Sequence, residues 1–334
     1  MLIVTQLSIR WLYFLPFTFY LNKMSRTFYI KNPEAPKVMS TQELLDLVGG
    51  NFRQFAVRDN DEDLDEIMQM PLNEFGYMLL GQESISGRGF ECSYSEEEHT
   101  YNVRVFTPST SADWHGALSF IEKLATTFGV SVTDEEGETY EGNNITYDFR
   151  HDIAFGIASM EKGDEGYFIF GAMRPICFSD EDIDRILAAE DRVKAFDDFI
   201  AAQRQHEDLY IAHPIFVKND QDEIIGIYAL TKTVHSVLPY KYPPFIDITK
   251  YNLSQEDVKE WRVHFADYDA RLSDEEQFPT IGEMDYQTFL ERLPEEKIQK
   301  LDGHYMCLCL ETKAEIEALL GKKTSLWGKI KKLF

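Results

Sequence analysis

Apolar residues alternate at Tyr101, Val103 and Val105, with Asn102 and Arg104 between them. That period of two marks a half-buried strand. Thr107-Pro108 closes it, because proline offers no amide to a ladder and disfavours helical geometry in the residue before it. The period then changes. Trp114, Ala117, Leu118, Ile121, Leu124, Ala125 and Phe128 recur at helical spacing, as a stripe wide enough to lie on a sheet. Thr110 or Ser111 caps this helix, Asp113 suits its positive end, and Gly129 stands where a left-handed C-cap belongs. Val130 and Val132 restore the period of two, and Asp134-Glu135-Glu136-Gly137 predicts a hairpin turn. The stretch 101–141 is therefore strand, helix, strand and hairpin, with its apolar residues in the core.

The same reading runs along the chain. Strands are expected over 27–31 and 77–80, and 89–94 and 101–106 form a hairpin turned by 95–99. Ser40-Thr41-Gln42-Glu43 opens a helix that Gly49-Gly50 stops. A helix is predicted over 145–160, a strand over 167–170, and helical sequence over 180–205 behind the capping pattern at Ser179. Asn219-Asp220-Gln221-Asp222 turns a hairpin between strands 209–218 and 224–232. The Pro- and aromatic-rich segment 236–248 reads as a packed irregular loop or part of a binding groove. Ser254 and Asp257 predict a capped helix with Val258, Trp261 and Phe265 on one face. A helix over 286–293, a strand over 305–310 and a helix over 312–320 complete the chain. The fold class is α+β, with mixed, mainly antiparallel sheets in two closely associated halves, 24–176 and 177–321. Residues 1–23 form an extension outside the fold, and 322–334 a basic amphipathic tail.

Composition sharpens this picture at two points. The four cysteines, Cys92, Cys177, Cys307 and Cys309, are too few for a disulfide scaffold, so a reducing cytoplasm is expected. The formal net charge of −25 disfavours nucleic acid and favours basic proteins. Trp11 to Leu21 is apolar but too short to span a bilayer, and it lacks the flanks of a signal peptide. Met24 reads as the natural start, with a weak membrane-associating segment as the alternative for 1–23.

Chemistry is sparse. The glycine-rich phosphate loops and the HExxH and GxSxG motifs are absent. Asp59, Asp61 and Asp63 mimic the start of a calcium loop, but Leu64 and Met70 break the pattern. His304, Cys307 and Cys309 lack the four-ligand spacing of a zinc site and read as core, so no metal or cofactor is expected. His151 with Asp148 and Asp152 is the most enzyme-like cluster, since a carboxylate-oriented histidine is an acid–base device. No nucleophile is tied to it by sequence.

Three stretches, TFYIKN near Met24, RVFTPSTSADWHGALSFIEKLA in the middle and IIGIYALTKTVHSVLPYKYP later, resemble an uncharacterised bacterial family, domain of unknown function 4299. The resemblance covers about 24–321. It implies a bacterial, cytoplasmic protein to which residues 1–23 are an addition, and it brings no activity or catalytic residue.

The expectation is a non-enzymatic acidic binding protein, immunity- or adaptor-like, with a basic protein partner. The alternative is a hydrolase-like enzyme using His151, Asp148 and Asp152. Candidate binding residues are Tyr240, Tyr242 and Phe245 in the loop, and Trp327, Lys329, Ile330, Lys331, Lys332 and Phe334 in the tail. The tail carries five lysines and no acid. Its composition suits weak contact with an anionic membrane surface, which makes a peripheral location the second expectation. Folding of the tail back onto the acidic body is the other reading.

Overall fold

The computed structural model describes residues 25–56, 64–164, 166–204, 209–244, 253–268 and 278–321. Its contacts divide the chain into two compact units, one of residues 19–207 and one built mainly of residues 208–334.

In the first unit the period-two segments become β1 (Ser25–Lys31), β2 (Phe52–Gln54), β3 (Met78–Gln82), β4 (Phe90–Ser95), β5 (Thr100–Phe106), β6 (Val132–Asp134) and β7 (Thr139–Tyr140). They form one antiparallel sheet in the order β2-β3-β4-β5-β1-β6-β7. Helix α1 (Thr41–Val48) is closed by a capping box between Ser40 and Glu43, and α2 (Leu64–Gln69) follows. Helix α3 (Ser111–Phe128) lies on the sheet. Thr110 and Asp113 form its capping box, and Gly129 ends it in the left-handed region at φ 68°. Trp114 is fully buried and meets Phe28 of β1 edge-on at 6.4 Å. The expected unit over 101–141 is thus present in full.

The helix expected over 145–160 is shorter, α4 (Arg150–Ala158). Residues before it are committed elsewhere. The Ile145 amide donates to Glu122, and the rings of Tyr147 and Phe149 both stack on Trp114 at 5.5 Å. After the hairpin β8 (Tyr167–Ile169) and β9 (Ile176–Phe178) come two helices, α5 (Asp180–Ala188) and α6 (Arg192–Arg204). Ile183, Ile186, Val193, Phe196 and Ile200 enter the same core as the sheet. The boundary expected near residue 177 is therefore corrected to 207–208: the capping box at Ser179 starts helices that close the first core.

The second unit interleaves two four-stranded sheets. One has the order β10 (Tyr210–Ile211), β13 (Ser236–Pro239), β17 (Tyr305–Leu308), β16 (Gln299–Lys300). The other has the order β11 (Pro214–Lys218), β12 (Ile224–Thr231), β14 (Val258–Ala266), β15 (Thr280–Asp285). Helices α7 (Tyr286–Arg292) and α8 (Lys313–Leu319) contribute Tyr286, Phe289, Ile316 and Leu319 to a core shared by both sheets.

Two expectations fail here. Val258–Ala266 is a strand, not a helix, pairing in parallel with β12 and antiparallel with β15. Ile224 faces Val258 but Ile225 faces Glu260, so Lys259 is an extra residue in the ladder. That bulge puts Val258 and Trp261 on the buried side at a spacing of three, which imitates a helical face. Beyond it, Trp261, Val263 and Phe265 alternate as a strand should. Likewise, the segment expected to be an irregular loop begins as β13, every residue of it buried.

Candidate functional site

The sequence-derived candidates meet the structure at α4. Ile153, Gly156 and Ile157 form its buried face. Gly156 lies so close to Pro108 that a Cβ there would stand 2.5 Å from the proline nitrogen. His151, Ala154, Phe155 and Ala158 are exposed, and at 3.6 residues per turn they share the opposite face. Phe155 keeps 50% of its surface in contact with solvent.

Asp152 turns away from that face. Its Oδ2 accepts the Tyr147 hydroxyl at 2.5 Å, and its Oδ1 lies 3.8 Å from the Arg26 guanidinium. Arg26 Nη1 also lies 2.9 Å from Glu136 and 3.7 Å from Glu135, as ion pairs without an aligned hydrogen bond. Its guanidinium sits over the Tyr147 ring at 5.3 Å. Burial pulls the Arg26 pKa down, but Glu136, Tyr147 and Asp152 outweigh it and hold the cation above its ordinary value. Burial raises the Tyr147 hydroxyl, and its bond to Asp152 raises it further. The arrangement clamps β1, the β6–β7 turn and α4 together. The Tyr147 hydroxyl donates to a carboxylate that already faces a cation, which ties the three segments to one another.

The acid–base pairing expected of His151 does not form among the described residues. Asp148 precedes the helix, is exposed and accepts the Arg150 amide at 3.2 Å, while His151 points to solvent. Of the three candidates only Asp152 joins a network. Sequence reasoning missed its partners Arg26 and Tyr147, because nothing local links residues 26, 147 and 152. It also missed Phe155, four residues after His151 on a helix already predicted.

The other candidates disperse. Tyr240 is occupied internally: its hydroxyl donates to the Gly303 carbonyl at 2.8 Å, and Lys300 sits over its ring at 4.6 Å. Tyr242 is exposed. Phe245 lies outside the described residues, as do Asp59, Asp61, Asp63, residues 1–23 and the tail residues Trp327, Lys329, Ile330, Lys331, Lys332 and Phe334. His304 is buried against Tyr305, Cys307 is buried and Cys309 is partly so. No group of three potential metal ligands occurs among the described residues. A recess lined by Leu230, Val234, Ser236, Leu308, Leu310 and Ile316 has a volume of about 10 Å³, the room of a single water.

Asp113 and Arg88 are both buried, and the Asp113 carboxylate is bonded to the Arg88 backbone and not to its guanidinium. Asp113 accepts the amides of Arg88 at 3.1 Å, Gly89 at 2.9 Å and Thr110 at 3.3 Å, and the Thr110 hydroxyl at 2.8 Å. The Arg88 guanidinium donates to the carbonyls of Phe170 and Pro108. Burial lowers its pKa to about 10 against the opposing charge of Asp113, so it stays protonated at neutral pH. Every partner here is structural.

These features define an acidic two-unit α+β protein, and no described helix is long and apolar enough to cross a membrane. The chain belongs to the DUF4299 family, a domain of unknown function, whose model matches residues 25–319. No curated protein and no solved structure matches it.

Proposed function

We propose that the protein is a non-enzymatic binding protein, immunity- or adaptor-like, whose acidic first unit takes a basic protein partner. Its charge distribution carries this reading. Residues 19–207 hold 36 Asp and Glu against 16 Lys and Arg, a net charge of −20, whereas residues 208–334 carry −6, from 22 acids and 16 bases. Glu97 and Glu98 in a turn, Glu138 and Glu141 stand exposed, with no ion pair among the described residues. Such a field accelerates encounter with cations and falls off with salt. Affinity capture from the native cell tests it. Basic proteins should be retained at low ionic strength and released by salt, and a triple Glu→Gln variant at Glu96, Glu97 and Glu98 should retain less. A retained set no more basic than that of a neutral control protein would sink the proposal.

The tail supports a second contact, weak and peripheral, with an anionic membrane surface, and Tyr242 remains a binding residue of the loop. Co-sedimentation with anionic liposomes, comparing the full chain with one ending at Gly321, decides the tail's part. Equal pelleting of the two would remove it.

A further inference from the structure

The sheet β11-β12-β14-β15 has two sides of different kinds. Its inner side turns Phe216, Tyr228, Trp261 and Val263 toward the second core. The register fixes what lies on the outer side. Val217 faces Ile225 and Ile215 faces Ile227, while Ile225 and Ile227 in turn face Glu260 and Arg262. Asp285 and Glu283 follow on β15, opposite Arg262 and His264. The outer side is therefore apolar on β11 and β12 and charged on β14 and β15. Ile215 is 57% exposed and Val217 38%, Ile227 is partly buried and Ile225 is buried. A sheet face left to water is normally polar.

The chain itself supplies an occupant. Its last described residues lie against this sheet: a Cβ at Gly282 of β15 would stand 2.4 Å from Leu320, and Arg292 donates to the Leu319 carbonyl at 2.7 Å. Gly321 then turns in the left-handed region at φ 71°. The tail that follows, residues 322–334, holds five lysines, no acid and the apolar residues Leu326, Trp327, Ile330, Leu333 and Phe334. Neighbouring strands lie about 4.8 Å apart, so the face is roughly 14 Å wide from β15 to β11. Even as a helix the tail reaches about 20 Å, and it reaches further when extended.

Charge agrees with reach. Residues 208–321 hold 22 Asp and Glu against 11 Lys and Arg. On the face, Glu260 and Glu283 share the single Arg262, which leaves a carboxylate in excess. At the Val217 end, Asp220, Asp222, Glu223 and Glu256 outnumber Lys218 and Lys259. Lys218 is held by Asp222, and Asp220, Glu223 and Glu256 are exposed with no ion pair among the described residues.

We propose that residues 322–334 dock on the outer side of this sheet, with their apolar residues over Ile215, Val217 and Ile227 and their lysines toward the carboxylates at its margin. The docked tail covers its own apolar residues, so a membrane surface has to compete with the sheet for them. The inference goes beyond the binding-protein reading and does not depend on it.

Trypsin acting on the folded full chain tests it. Cleavage at Lys329, Lys331 and Lys332 is followed by mass spectrometry, with a synthetic peptide of residues 318–334 as the unprotected reference. Cleavage of a closed segment tracks its open population, so the tail should be cut at least about tenfold more slowly than the peptide. Ile215→Lys lies at an exposed edge position and leaves the tail's sequence untouched, and it should bring the rate to within about twofold of the peptide's. Val217→Lys should do the same. Unaltered amide exchange in β12 and β14 would show that the sheet is intact in both variants. Cleavage of the wild-type tail at the peptide's rate overturns the proposal. Protection that both variants keep also overturns it, by placing the tail on another surface. Protection that fades on dilution overturns it as well, by placing the tail on a second copy.

Discussion

The two compact units are built from different kinds of information. In the first, the helix ends are set within a few residues: Thr110 caps through Asp113, Ser40 through Glu43, and Gly129 ends α3 by its own backbone preference, while β1 takes its central place by pairing with the remote β5 and β6. In the second, the decisive events join distant residues. β12 pairs in parallel with β14 across a change of sheet, β10 pairs with β13, and the bulge at Lys259 exists only in the ladder with β12. Local chemistry can be read from a sequence, whereas a register between remote strands cannot.

The largest effects should test whether each unit depends on its buried indole. Trp114→Ala and Trp261→Ala should each cost about 3–5 kcal/mol, because both side chains are at most 2% exposed. Amide exchange should accelerate in β1 and β5 for the first variant and in β12 and β14 for the second. Wild-type exchange in the matching strands would show that the indole is not the anchor. Asp113→Ala should follow, at about 1–3 kcal/mol, since it leaves the buried amides of Arg88, Gly89 and Thr110 without their acceptor. A urea midpoint close to wild type would contradict the network described.

Glycines give the next comparison. A Cβ at Gly156 would press on Pro108, and one at Gly226 would stand 2.4 Å from the Trp261 ring. Neither obstacle is the end of a flexible side chain. Both Gly→Ala variants should lose about 1–3 kcal/mol in urea titration. A neutral Gly226→Ala would mean that β12 and β14 can slide, making the second unit's register softer than its hydrogen bonds suggest.

The legible part of the fold follows this division. The stretch 101–141, the three capping boxes of the amino-terminal unit and the hairpin at 219–222 are readable because their partners are near in sequence. Val258, Trp261 and Phe265 imitate a helix because a bulge changes the side-chain period from two to three at one point. The boundary was misplaced because a cap marks the start of a helix, not the start of a core. At the candidate site, Asp152 was readable as a carboxylate worth noting. Its partner Arg26 lies on the first described strand and is brought to it only by the packing of α4.

Caps should separate the units least. Thr110→Ala and Thr312→Ala should each cost about 1 kcal/mol, since both hydroxyls accept an amide in a capping box. A much larger loss at Thr110 would reveal how far its hydroxyl bond to Asp113 adds to capping. At the bottom of the scale, Lys194→Ala breaks an exposed i,i+4 pair with Asp198 and should leave the melting temperature unchanged in ordinary buffer. A measurable drop would show that the α6 surface is organised by charge.

The alternation of strands between two sheets in the second unit bears on the order in which the protein is made. The seven-stranded sheet has all its strands by Tyr140, and its covering helices end at Arg204. A ribosome can therefore release a finished first core while the rest is still being synthesised. The second unit cannot follow step by step. β13 waits for β17, which ends at Leu308, and β12 must stay open on one side until β14 has passed β13. The hairpin of β11 and β12 can close as it emerges, but the pairings that join β12 to β14 and β13 to β17 come late, so the last third of the chain is where slow folding and dependence on chaperones should concentrate.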